Sequence, residues 1–363
     1  MTFVLQDALG WKTYRHQLSA VLEARDDIHF QFIAPVPLPR WRRALIKHPY
    51  MRPSESVYRK IDPIKALQGL LGEKIRAEIA EFKPSALYFG GHWLAATVSE
   101  RKLTIPYTVA TDHTRASMER SLTAGIWTPA DLEREARLFQ GAAHVFPMSE
   151  WTARSVRDDC RVEPGRITVM PPSINLARFV RPSYLDQGPL RLIFIGNDFL
   201  RKGGDKLCRW VAGPLAGRAE LHVVSGDRDA QGERPGVIFH GRVPNDRLVG
   251  ELLPSMDALC HPTKSDMSPL VVIEAAAAGL PAVASRIGAI SEIIREGETG
   301  FLVDPEDEAG FIAALGRLAE EPGLRRAMGE RAWEYARQKF DASVNYNALI
   351  DYLIALGRRG AAG

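Results

Sequence analysis

The chain has 363 residues, room for two domains of ordinary size, and its 45% apolar and 25% charged residues let each half bury a core of its own. A formal charge of +3 is too small to demand a nucleic-acid partner, and three scattered cysteines (Cys160, Cys208, Cys260) without a C-x-x-C pair argue against a disulfide framework or a cysteine metal cluster. The start has no basic n-region or apolar h-region, and the most apolar run, 270–285, is broken by Glu274, Gly279 and Pro281, so the expectation is a cytoplasmic protein without a membrane span.

Strand-like runs alternate with helical patterns along the whole chain, which predicts parallel sheets built from βαβ units. In the first half strands are expected at 3–5, 29–33, 86–89, 107–110, 144–148 and 167–170, with amphipathic helices such as 14–22 and 66–81 between them. The pattern restarts at 190–195 and continues at 221–224, 237–239, 258–261, 281–284 and 301–303. The stretch 176–189, with two prolines, a glycine and scattered charges, has the composition of a linker. The fold class expected is α/β, with two Rossmann-like, doubly wound parallel-sheet domains facing each other across a cleft. Their bounds are 1–180 and 188–340, and a helix at about 340–357 packs back on the first. Ligands of such sheets sit at the carboxyl ends of the strands.

In chain order, the first polar strand end is Gly10-Trp-Lys-Thr13, where a glycine allows a substrate close to the backbone. Residues 36–60 carry seven basic residues, among them Arg40, Arg42, Arg43 and Lys47, against one acid, Glu55; interleaved Trp41, Leu45, Ile46 and Tyr50 make the stretch a candidate for a membrane surface or an anionic acceptor. A solvated insertion is the competing reading, because prolines interrupt the helix. Gly90-Gly-His-Trp93 and Ala110-Thr-Asp-His-Thr114 end two further strands, and His113 is placed to meet a substrate hydroxyl or charge developing in a transition state.

In the second half Gly196-Asn197-Asp-Phe-Leu-Arg-Lys202-Gly203-Gly204 follows a strand and precedes a helix, the order of a phosphate cradle with Lys202 as a compact positive charge. It lacks the G-x-x-x-x-G-K-[ST] order of a P-loop. Ser225-Gly-Asp-Arg-Asp229 contains a D-x-D, yet nothing near it completes a hard-cation site, so it reads as a loop and no metal is expected. Asp266 and Glu274 lie eight positions apart around a helix start: Ser268 suits the N-cap, Pro269 the first helical position, and Gly279 with Pro281 the stop. Free N–H groups at Leu270 and beyond, between two acids, suit a ligand carrying both phosphate and sugar hydroxyls.

Together and in this order, these pieces resemble the family-4 nucleotide-sugar glycosyltransferases, retaining enzymes of the GT-B fold. The likeness is strongest over 145–304 and weaker over 1–114. It includes Met170-Pro-Pro-Ser-Ile-Asn-Leu-Ala-Arg-Phe179, His240-Gly-Arg-Val-Pro244 and the stretch 288–303. The resemblance implies a Glu-x7-Glu donor motif at Asp266 and Glu274, the second acid on the donor ribose and the first on the transferred sugar. It also implies a phosphate loop at Lys202-Gly203, His113 beside the sugar, and the nucleotide base held by the backbone around Arg242 and Val243. Three departures stand out: Asp266 for the usual Glu, Asn197 where many members have arginine, and Met267-Ser-Pro269 for Gly-Phe-Gly.

The function so implied is transfer of a sugar from a nucleoside-diphosphate sugar to a hydroxyl acceptor, a sugar, a growing glycan or a lipid-linked molecule. The transfer would proceed with retention and without cofactor or metal. Segment 40–60 leans towards an anionic or lipid-linked acceptor at the inner face of a membrane. Two alternatives stay open: a phosphorylase or nucleotide-sugar epimerase of the same architecture, and a catalytically silent sugar-nucleotide-binding subunit, which the three departures motivate.

Overall fold

The computed structural model describes residues 1–5, 10–33, 63–99, 104–121, 125, 127–181 and 188–361. Arg40, Trp41, Arg42, Arg43 and Lys47 lie outside them. The chain divides into two units, one of Met1–Pro171 with Ser343–Gly363 and one of Pro172–Ala342.

The first unit holds a parallel sheet of β1 (Thr2–Leu5), β2 (Gln31–Ile33), β3 (Leu87–Gly90), β4 (Tyr107–Thr111) and β5 (His144–Pro147), in the order β2-β1-β3-β4-β5. β1, β3, β4 and β5 are buried at every position. That burial explains why they read as continuous apolar or aromatic runs, since a parallel sheet is covered on both faces. Register is regular, with Thr2 beside both Gln31 and Leu87, and Leu87 beside Tyr107. The expected strand at 167–170 forms only an isolated bridge, Ile167 to Val145, with the amides of Thr168 and Met170 reaching Val145 O and Pro147 O. Pro171 and Pro172 follow at once and have no amide with which to continue a ladder.

Helix starts in this unit follow local chemistry. Thr128 caps Pro129–Gly141 in a reciprocal capping box with Asp131, and Ser149 caps Glu150–Asp158 through Thr152 N. Segment 343–361 completes the core: Tyr346 is fully buried, edge-on to Tyr14 at 5.1 Å, and Arg25 pairs with Asn347 at 3.1 Å and Asp351 at 2.6 Å.

The second unit is a six-stranded parallel sheet of β6 (Leu190–Ile195), β7 (Ala219–Val224), β8 (Val237–Gly241), β9 (Ala258–His261), β10 (Ala282–Ser285) and β11 (Gly300–Val303), in the order β11-β10-β9-β6-β7-β8. Apolar clusters cover both faces. One contains Ile193, Leu259, Ile273 and Phe340; the other contains Phe194, Phe199, Trp210 and Phe311, with Trp210 stacked on Phe311 at 5.3 Å. Strand order reverses between β6 and β9, which makes the loops after those two strands the switch point where such sheets bind ligands.

Candidate functional site

The loop after β6 runs from Gly196 to Gly203 and enters the helix Gly204–Ala212. Gly203 adopts φ +77°, and a Cβ there would collide with the carbonyl of Pro262, so both conformation and space demand glycine. At Gly196 a Cβ would strike the stem of Lys202, which lies folded back over it. These two glycines aim the ammonium of Lys202 at the loop after β9, where it meets Asp266 Oδ2 at 3.2 Å. Asn197 accepts from the Gly226 amide at 2.9 Å, and Arg242 lies along Gly226.

The loop after β9 is braced from two sides. Arg201 donates to Ser265 O and to Asp198 Oδ2, its own carbonyl receives Lys264 N at 3.0 Å, and Thr263 Oγ1 donates to Ser265 O at 3.1 Å. His261, fully buried at the end of β9, has Nε2 at 3.1 Å from Asp266 Oδ2, the same oxygen that faces Lys202. Burial works against ionising Asp266, but the His261 hydrogen bond and the charges of Lys202 and Arg201 outweigh it and hold its carboxyl well below the usual carboxylate range. Burial also pushes the His261 imidazole down despite Asp266, so the ring is neutral at pH 7, donating from Nε2.

The helix after this loop spans Leu270–Ala277, one residue later than the spacing suggests. Pro269, at φ −69° and ψ 112°, is the N-cap rather than the first helical residue, and no side chain caps the helix. Ser268 therefore does not cap it; its Oγ is buried without a hydrogen-bond partner. The stop is as expected, with Gly279 at φ +77°. Glu274, 7% exposed, lies inside this helix. Burial pushes its carboxyl up to about 7, against the charge of Arg178 and a hydrogen bond with Asn245. Two acids of one motif are thus shifted in opposite directions.

Sequence reasoning missed His261, Arg178 and Asn245. His261 had a signal, being a polar residue at the end of a buried strand, whereas Arg178 sits in a stretch that reads as linker. Asp227 of the D-x-D accepts backbone amides from Phe199 at 3.0 Å and Asp229 at 3.3 Å. Among the described residues no group of three or more His, Cys, Asp or Glu is arranged to hold a metal ion.

The first unit, taken by itself, places Gly10 at the start of the helix Gly10–Glu23 and His113 just beyond β4. His113 Nδ1 meets Asp112 Oδ1 at 2.9 Å; burial would lower the imidazole, but Asp112 outweighs it and the ring is raised above its ordinary value. Its backbone is pinned by hydroxyls, Thr111 Oγ1 donating to His113 O and Thr152 Oγ1 to Asp112 O at 2.7 Å. The His92 ring stands edge-on to His113 at 5.1 Å. Among the described residues no helix is long and apolar enough to cross a membrane.

A family profile described as glycosyltransferase family 4 matches residues 11–178, and one described as glycosyl transferases group 1 matches 189–321. The D-inositol 3-phosphate glycosyltransferase of Acidothermus cellulolyticus is 31% identical over 284 residues, 68% of this chain and 62% of that protein. The protein of the same name from Streptomyces scabiei is 29% identical over 69% of this chain and 63% of its own. These alignments span less than two thirds of either relative's length. Among solved structures, sucrose-phosphate synthase from Thermosynechococcus elongatus superposes with a TM-score of 0.76 at 17% identity, covering 98% of both chains. HepE of Anabaena, solved with UDP and glucose, gives 0.71 at 14% identity, covering 98% of this chain and 100% of its own. At such identities the likeness speaks for the fold, two parallel-sheet α/β domains of the GT-B type.

Proposed function

The chain belongs to the family-4, group 1 glycosyltransferases, and on that premise we propose that it moves a sugar from a nucleoside-diphosphate sugar to a hydroxyl acceptor with retention at the anomeric carbon. The observation that carries this reading is the pairing of Lys202 with Asp266 across the β6/β9 switch point, with Glu274 buried in the helix that follows. Lys202 supplies a point charge for the diphosphate and, with the amides at the start of Leu270–Ala277, meets the charge that develops on the leaving phosphate. Asp266, kept ionised by His261 and Lys202, accepts from hydroxyls of the transferred sugar. Glu274 accepts from the ribose, and the backbone at Arg242 and Val243 lines the base. The acceptor attacks on the face the diphosphate leaves, and the departing phosphate takes its proton. For His113 the family resemblance supports a hydrogen bond to the sugar as charge builds. No step needs a cofactor or metal.

For the acceptor, the relatives' printed name and the basic segment 40–60 support the same chemistry, an anionic hydroxyl compound such as a phosphorylated polyol or an anionic lipid-linked sugar. Segment 40–60 would hold it, at a membrane surface in the lipid-linked case. Loss of anionic-vesicle binding and of acceptor use on deleting 40–60 is the expected outcome; indifference of both would remove that segment from the acceptor site.

The donor reading is tested by thermal unfolding against UDP-, GDP-, ADP- and TDP-sugars. A ligand at one hundred times its dissociation constant stabilises the native state by about 2.7 kcal/mol, a readily measured shift. One nucleotide class should shift the wild type and fail to shift Glu274→Ala, which should stay folded and lose roughly 100- to 1,000-fold in kcat/KM. A stable, fully active Glu274→Ala would sink the site assignment. Turnover that consumes inorganic phosphate and releases no nucleotide would turn the reading to a phosphorylase.

A further inference from the structure

The edge of the second sheet carries three polar side chains that the proposed reaction does not use. β8 is an outermost strand with no buried residue, so apolar packing fixes it less than the strands inside the sheet. Its ladder to β7 is also interrupted. Val223 lies beside Phe239 and Val224 beside Gly241, which leaves His240 as the extra residue of a bulge. Two rings span that bulge. His222 Nδ1 lies 2.9 Å from His240 Nε2, and His222 Nε2 lies 2.9 Å from Glu220 Oε1. The ring centres are 5.2 Å apart and the planes 15° from parallel. That separation exceeds the nitrogen–nitrogen distance by two ring radii, so both nitrogens sit on the line between the centres. The rings therefore meet edge to edge with their nitrogens head on, the in-line arrangement a hydrogen bond prefers.

The hydrogens along this line follow from what each atom can do. A carboxylate only accepts, so His222 Nε2 carries a hydrogen and, in the neutral ring, Nδ1 is bare. His240 must then donate to it from Nε2. We infer that Glu220, His222 and His240 are positioning residues for the donor nucleotide, a directed line of hydrogen bonds that holds the β8 bulge and so sets the backbone that reads the base. The inference rests on the role proposed above for the backbone around Arg242 and Val243, which leaves β8 directly after His240. Gly241, at φ +66°, makes the turn, and its carbonyl accepts Ser225 N at 3.0 Å. Arg242 then lies along Gly226, which Asn197 of the loop after β6 holds. At the far end of the stretch Asn245 hydrogen-bonds Glu274. The segment 241–244 is thus tied at one end to an acid of the donor motif and at the other to the two rings. The charged groups around the rings are Glu220, Arg191 beside it in the β6 register, Arg247, which is 3.3 Å from Glu251, and Arg234 over Phe239 at 5.9 Å. Burial, with the charges of His222 and Arg247, pushes the His240 imidazole below its ordinary value, which agrees with a neutral donor ring.

Two substitutions at His240 separate positioning from bulk. In His240→Gln the amide nitrogen can still donate to His222 Nδ1, whereas His240→Leu fills the space and donates nothing. Calorimetric titration with UDP, GDP, ADP, TDP and inorganic pyrophosphate reads the difference. His240→Leu should bind the preferred nucleoside diphosphate about fivefold more weakly, the worth of one hydrogen bond, and lose part of its margin over the other three. Its affinity for pyrophosphate, which has no base, should stay unchanged, and His240→Gln should recover most of the lost nucleotide affinity. Nitrogen-15 NMR at pH 7.5 should find both rings neutral and protonated on Nε2. An Nδ1–H tautomer at His222 overturns the inference. So does a His240→Leu that binds nucleotides like the wild type or loses pyrophosphate equally, and so does a folded His240→Gln as impaired as His240→Leu. If none of the four nucleotides binds the wild type, the donor reading falls and the positioning role with it, while the NMR signals read the two rings independently of any ligand.

Discussion

At the carboxyl ends of the first sheet, polar groups are held by hydrogen bonds to one another, His92 to Thr111 and Thr111 to the backbone of His113, with Glu135 Oε1 at 3.1 Å from His92 Nε2. At the corresponding ends of the second sheet they are held by opposite charges, with Lys202 and Arg201 around Asp266. Both regions contain a histidine that burial keeps neutral, His92 and His261, and each passes a hydrogen to an oxygen. The difference lies in what each arrangement resists. A chain of neutral groups fixes direction and has little net field, which suits aiming a ring. A cluster of ions creates a strong local field but leaves its members free to exchange partners, which suits receiving a charged ligand. Lys202 and Asp266 neutralise one another, and on the proposed donor reading a diphosphate would take the lysine without stranding the carboxylate, because His261 remains bonded to it.

The comparison can be broken most forcefully at Lys202. Lys202→Ala should cost roughly 100-fold in kcat/KM and most of the nucleotide-induced thermal shift, while the histidine signals of the first unit stay unmoved. A change at His92 in that variant would deny that the two regions are independent. His261→Phe is the next largest test, with an expected loss of about tenfold and an acid limb of the pH–kcat profile moved upward by about one unit as Asp266 loses a hydrogen bond to its ionised form.

Titration sharpens the contrast, because Glu135 and Asp266 should make stability respond to pH with opposite sign. Glu135 has its folded-state value raised to about 7, so between about 4.5 and 7 the folded protein keeps a proton that the unfolded chain releases. Stability should fall as pH rises through that window, by up to about 1.4 kcal/mol per pH unit for one group. Glu274, raised in the same way, adds a slope of the same sign, so Glu135→Gln should reduce the slope without abolishing it. Asp266, lowered by its partners, gives stability that is present above the ordinary aspartate range and lost as pH falls, and Asp266→Asn should remove that acid-side slope alone. Denaturant melts across pH 3 to 8 read both. The smallest effect is expected at Ser268→Ala: removing a buried hydroxyl that has no partner should change stability by less than about 1 kcal/mol and, if anything, raise it.

Much of the second unit was legible in the sequence because its signals are local. Strands 190–195 and 258–261 coincide with β6 and β9, since buried parallel strands are short, uniformly apolar runs bounded by turn residues. Gly203 and the Gly279 stop declare themselves through backbone conformations that glycine alone adopts readily. The helix start at 268–270 was misplaced by one residue because a proline satisfies either the cap or the first helical position, and only ψ separates the two. What stayed hidden depends on contacts between distant residues. Arg178 looks like linker until it approaches Glu274, and Glu135 looks like one more helical surface acid. Helix periodicity marks its face as apolar, but only the packing of that helix against the helix His92–Ser99 shows that the acid lies beside a histidine.

The assembly of the first unit from two stretches of chain bears on how the protein comes to be folded. As the chain leaves the ribosome, the five strands of the first sheet emerge early, yet Tyr14 and Arg25 wait for Tyr346, Asn347 and Asp351, which follow only after all of residues 172–342 have been made. The second unit, continuous in sequence, can close as soon as it is out. The portion synthesised first is thus the last to be finished. It must hold an incomplete apolar face through that interval, the condition in which nascent chains most need a chaperone.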